Sequence, residues 1–125
     1  MDRYDEGRAV FAEVYGERVD LPPKGAISAT DAMVEQLFGE VWSREALDIP
    51  KRRLLVIGVL AATGNFEPLK IQLDRGLETG ELTADEVDEI VLHLAHYVGW
   101  PSLASLVACA EEAKAAHRER ERPGS

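Results

Sequence analysis

The sequence predicts an all-α fold, a single-domain bundle of about six helices. Three observations predict it. Apolar residues recur at spacings of three and four. No segment alternates apolar and polar residues long enough to make a strand. Helix-starting and helix-stopping residues punctuate the chain at short intervals. The 125 residues fit one domain, taken as 1–125 with a charged tail over 117–125.

The first helix spans Asp2 to Glu17, with Tyr4, Val10, Phe11, Val14 and Tyr15 as its apolar contacts. The Leu21-Pro-Pro-Lys-Gly25 segment is a connector. A second helix runs from Ser28 or Thr30, either hydroxyl serving as cap, to Ser43. Its stripe is Met33, Leu37, Phe38, Val41 and Trp42. Asp48-Ile49-Pro50 starts a third helix, because proline is favoured at the first helical position. That helix is apolar on nearly every side as far as Thr63, so it belongs at the centre or at a subunit interface. The fourth helix spans Phe66 to Thr79 and stops at Gly80. Thr83-x-x-Glu86 is a capping box for the fifth, whose face is Val87, Ile90, Val91, Leu94 and Val98. Gly99-Trp100-Pro101 breaks it, and a last helix runs from Ser102 to about Arg118 before a fraying end.

Composition narrows the function classes. The net charge of -9 repels phosphate backbones and anionic membranes. Lys51-Arg52-Arg53 is too short a cluster for a nucleic-acid stripe. No run approaches the roughly 20 apolar residues of a membrane span. The N-terminal residues lack the layout of a secretory signal, and the single cysteine fits a cytoplasmic location. One cysteine also rules out a two-cysteine redox reaction within one subunit.

His93, Tyr97 and Glu86 fall within about 40° of one another on the fifth helix, at the border of its apolar face. A histidine there can point into a half-buried cleft and move protons near neutrality. Glu89 and His96 are rotated towards the polar side. Glu89 with His93, or His93 with His96, offers only two metal ligands, and neither paired Glu-x-x-His motifs nor His-Glu-x-x-His is present. We therefore expect no metal. Trp42 and Trp100 are candidate pocket walls, Trp100 because it sits at a helix break. Arg44 and Arg53 match a carboxylate's geometry and are candidates for holding an anionic substrate. Cys109 lies among Leu106, Val107, Ala108 and Ala110 and reads as a small buried apolar residue.

Three segments together carry a resemblance. They are Val41-Trp-Ser-Arg-Glu-Ala-Leu47 with Pro50-Lys-Arg-Arg-Leu-Leu-Val-Ile57, then Glu67-Pro-Leu-Lys-Ile-Gln72 leading to Gly76-Leu-Glu-Thr-Gly80, and Glu89-Ile-Val-Leu-His93-Leu-Ala-His-Tyr97-Val-Gly-Trp-Pro101. In this order and spacing the chain resembles the carboxymuconolactone decarboxylase family, which includes alkylhydroperoxidase D-like proteins. The resemblance covers residues from about 5 to 115. It implies a homo-oligomer, trimeric or hexameric, and a lyase of aromatic degradation that needs no cofactor.

The family's redox branch uses a Cys-x-x-Cys pair, a later histidine and an earlier glutamate. Those slots hold Asn65, Pro68, Gln72 and Arg53 here, and neither asparagine nor proline supplies a thiolate. The decarboxylase branch carries a histidine at the Gln72 position and a His/Tyr pair matching His93 and Tyr97. Gln72 can hydrogen-bond but cannot shuttle a proton. The resemblance thus implies a related substrate, a small anionic, unsaturated cyclic acid or lactone, decarboxylated or isomerised through an enolate. His93, Tyr97 and Gln72 are its catalytic candidates. Arg44, Arg53, Trp42, Trp100 and Glu67 are its substrate-binding candidates. The alternatives are a non-catalytic binding or structural member, and a peroxidase working through Cys109 with an outside thiol.

Overall fold

A computed structural model describes residues 2–124. Helix follows helix, and no strand occurs among the described residues. No helix among them is long and apolar enough to cross a membrane. The chain divides into two compact units, residues 1–52 and 53–125.

In the first unit, α1 spans Arg3–Tyr15 and is capped by the Asp2 carboxylate, which accepts from the Asp5 amide. That hydrogen bond holds the Asp2 carboxyl below the usual carboxylate range. The second helix departs from expectation. An α-helical turn, α2 (Ser28–Ala32), continues without interruption into a π-helix over Met33–Val41. No hydroxyl caps it, because Ile27 holds the N-cap position; the Asp31 carboxylate instead accepts from the Gly25 amide at 2.8 Å. The wider π turns change the buried stripe. Val34, Phe38 and Trp42 are buried, whereas the expected Leu37 and Val41 are exposed.

Two glycines let α1 and the π-helix approach backbone to backbone. A Cβ on Gly7 would lie 1.9 Å from the Val34 carbonyl oxygen, and one on Gly39 would lie 2.9 Å from the Arg3 oxygen. Arg3 and Glu40 form an ion pair across the same crossing. Phe11 then meets Phe38 edge to face and Phe38 stacks on Trp42, with ring centroids 4.9 and 5.8 Å apart. Each such buried aromatic contributes about 1.5–3 kcal/mol.

α3 spans Ile49–Ala62, and Asp48 accepts from the Lys51 amide at its start. Only Arg53, Ile57 and Ala61 of this helix are buried; Leu54, Leu55 and Val59 are exposed. In the second unit α4 (Phe66–Glu78) packs against α6 (Leu103–Glu121). α5 (Ala84–Val98) begins with the expected capping box, Thr83 and Glu86 each accepting from the other's amide. The core is Ile57, Leu69, Leu73, Leu77, Val87, Leu106 and Ala113 with their neighbours. Gly80 and Gly99 end α4 and α5 with φ of 79° and 97°, a region glycine enters without strain. A 3-10 turn over Trp100–Ser102 leads into α6. α6 outlasts its expected end and stays helical to Glu121, where Arg120 donates to the Asp74 carbonyl. Ser125, in the expected fraying end, lies outside the described residues.

Candidate functional site

His93 borders a cavity of about 400 Å³ within the second unit. α3 supplies Leu54, Ile57 and Gly58 to its wall, the turn before α5 supplies Leu82, and α5 supplies Glu86, Glu89, Ile90 and Leu94. The wall is therefore apolar except for one imidazole and two carboxylates. Helical periodicity explains most of the α5 contribution, since residues 86, 90, 93 and 94 fall on one side of the helix.

The three polar groups differ in freedom. Glu86 is committed to the capping box, where it accepts from the Thr83 amide at 2.9 Å. Glu89 makes no hydrogen bond or ion pair among the described residues. The His93 ring lies 5.1 Å from the Tyr97 ring, and Tyr97 is itself 76% exposed. His96 is on the outer side, with Nδ1 2.9 Å from the Leu92 carbonyl and its ring edge-on to the exposed Trp100.

Arg53 and Gln72 form a separate buried network. The Arg53 guanidinium is 1% exposed and grips both carboxylate oxygens of Glu81, donating from Nε at 2.5 Å and from Nη2 at 3.3 Å. Its Nη1 donates to Gln72 Oε1 at 2.7 Å. This bidentate pair ties α3 to the segment just before Leu82, a cavity residue. The Leu82 amide also donates to the Gly76 carbonyl. A Cβ on Gly76 would meet Leu82 Cδ1 at 2.7 Å, so glycine there seats the leucine.

The remaining candidates lie elsewhere. Trp42 is buried against Phe38, and it lines with Arg44 a second cavity of about 500 Å³ inside the first unit. Glu67 is exposed in the first turn of α4. Asn65 and Pro68 are exposed too, Asn65 donating to Thr63 Oγ1. Cys109 is buried, with Sγ donating to the Phe66 carbonyl at 3.4 Å. Burial, then the charges of Glu112 and Glu67, push its thiol pKa up. A peroxidase built on Cys109 would need an exposed thiolate, which this setting opposes.

The structure thus brings His93 to Tyr97, Arg53 to Gln72 and Trp42 to Arg44. Glu89 joins His93 at the cavity although periodicity had turned it towards the polar side; the cavity is open, so its rim extends past the apolar face. Gly58 was missed as well. A Cβ there would meet nothing within 4 Å, so it faces open space. A lone glycine inside an apolar helical run was its available signal.

Comparison with known proteins agrees with this architecture. The sequence profile of the carboxymuconolactone decarboxylase family matches residues 28–112. The chain is 32% identical over 115 residues to 4-carboxymuconolactone decarboxylase of Acinetobacter baylyi, covering 88% of this chain and 85% of that one. It is 34% identical over 104 residues to nitrosuccinic acid decarboxylase of Metarhizium robertsii, covering 79% and 72%. An uncharacterised 15.0 kDa protein of Paracoccus denitrificans is 30% identical over 89 residues, covering 70% and 66%.

Proposed function

Because the chain belongs to the carboxymuconolactone decarboxylase family, we propose that it is a cofactor-free decarboxylase of a small anionic, unsaturated cyclic acid or lactone, with His93 as proton donor. The observation that carries this reading is His93 on the wall of a cavity whose other polar groups are the Glu86 and Glu89 carboxylates. Decarboxylation breaks a carbon–carbon bond and leaves its electron pair behind. A conjugated lactone carbonyl can take up that pair as an enolate. The nitro group named in one relative's substrate is an electron sink of the same kind. Carbon dioxide departs neutral, and a proton must then reach carbon. An imidazolium at His93 gives that proton and faces the negative charge as it develops. Tyr97, beside the ring, orients it or donates to the enolate oxygen. Leu54, Ile57, Ile90 and Leu94 give the site an apolar lining.

Arg53 and Gln72 serve this reading indirectly. With its guanidinium engaged by Glu81 and Gln72, Arg53 fixes the Leu82 wall rather than holding substrate. We propose a cytoplasmic location, with which the lone cysteine agrees. A second reading, a binding member without catalysis, draws on Gln72: a buried amide bonded to Arg53 relays no proton.

The test is carbon dioxide release from a panel of unsaturated lactone acids and nitro acids. His93→Gln should reduce turnover by about 100-fold or more, the usual scale of general acid catalysis. Full turnover by that variant would remove His93 from the mechanism. Binding of a panel acid without carbon dioxide release would favour the second reading.

A further inference from the structure

The His93 cavity holds two carboxylates and no lysine or arginine. If the preceding reading holds, its ligand is an acid, and an acid meets Glu86 and Glu89 there with only His93 to offset them. The cavity's own lining therefore lacks the cation its ligand requires. Its rim is also uncovered. Leu54, which lines the cavity, is 48% exposed, and Leu55, Val59 and Leu92 on the same two helices are 60%, 61% and 55% exposed. An acidic cavity with an apolar rim calls for an apolar surface that carries a cation.

The chain has such a surface. Most of its cations are already engaged: Arg3, Lys24, Lys70, Arg75, Lys114 and Arg122 are ion-paired. Arg8 donates to the Tyr4 hydroxyl, Arg52 to two carbonyls and Arg120 to the Asp74 carbonyl. Arg44 is exposed and its guanidinium has no partner among the described residues. It is flanked by Val41 and Leu47, which are 43% and 37% exposed. Lys51 and Arg118 are also free, but Arg118 sits in the acidic Glu119–Glu121 stretch, and only a guanidinium grips a carboxylate with two parallel bonds.

We propose that a second copy of this chain covers the His93 cavity and delivers its Arg44 there, so that each site is shared by two subunits. The contact is heterologous, the Arg44 surface of one copy meeting the His93 surface of the next. Repetition of such a contact makes a ring when the rotation between neighbouring copies closes. Arg44 holds the substrate carboxylate over the cavity, His93 supplies the proton, and the covered leucines exclude water.

Subunit mixing tests this. The wild type should sediment as an oligomer at micromolar concentration, and Arg44→Glu should shift it towards a single chain. Arg44→Ala and His93→Gln should each lose carbon dioxide release. Co-expressed and purified as mixed oligomers through two tags, they should recover about one quarter of wild-type activity, because about a quarter of neighbouring pairs join an intact cavity to an intact Arg44. A monomeric wild type, or mixed oligomers as inactive as the single variants, would overturn the proposal. Should the wild type decarboxylate none of the acids, the previous reading falls, and calorimetric binding of the unsaturated lactone acids of the same panel becomes the complementation readout. Recovered binding then supports the shared site, and its failure to recover overturns it.

Discussion

Arg53 shows what one buried charge does in this protein. Its guanidinium is removed from water and finds three acceptor contacts, on Glu81 and Gln72. Removing one partner of such a network strands the others. Arg53→Ala should therefore cost about 3 kcal/mol in urea unfolding, while Arg53→Met, which refills the volume, should cost less. None of this was legible locally. An arginine reads the same in sequence whether buried or exposed, and Glu81 lies 28 residues away. His93 was legible, because helical periodicity set it at the edge of the apolar face. Glu89 was misjudged because periodicity reports an angle around the helix and not how far a cavity opens. Cys109 read correctly as a small buried residue, since its neighbours along α6 are apolar or small.

Among the elements, α3 to α5 were readable from punctuation that acts over one turn: Asp48 before Ile49, the Thr83–Glu86 capping box, and glycines at positive φ. The π-helix was not. Of its expected stripe Phe38 and Trp42 do turn inward, but Val34 joins them while Leu37 and Val41 face out. It lies where Gly39 meets α1, a constraint contributed by residues about thirty positions away, outside any local window. Gly7 makes the point quantitatively. Alanine in a helix interior is ordinarily worth about 1 kcal/mol over glycine. Here the added Cβ would sit 1.9 Å from a backbone oxygen that cannot swing aside. Gly7→Ala should thus destabilise by about 2 kcal/mol or more in thermal unfolding, reversing the usual sign.

For the whole molecule, the prominent feature is apolar surface left in water. α3 alone exposes Leu54, Leu55 and Val59. Its all-round apolar sequence had already pointed to the centre of the fold or a subunit interface, and the chain does not bury that face itself. Leu55 lies outside the cavity wall, so it probes association separately from ligand contact. Leu55→Asp should lower the sedimenting mass at micromolar concentration while leaving the helical circular dichroism signal unchanged. An unchanged mass would mean that this face takes no part in assembly. The net charge of -9 opposes association through self-repulsion, so apolar burial must outweigh it.

Gly58 sets the cavity against the helix that forms its wall. Alanine would suit an α-helix better by about 1 kcal/mol, and nothing within 4 Å would obstruct its Cβ. Thermodynamic improvement of the scaffold and loss of the binding space therefore lie along the same mutational direction. Engineering for heat resistance by helix propensity alone would select this substitution early and shrink the space available to ligand with it, a trade-off between robustness and use concentrated at one hydrogen atom.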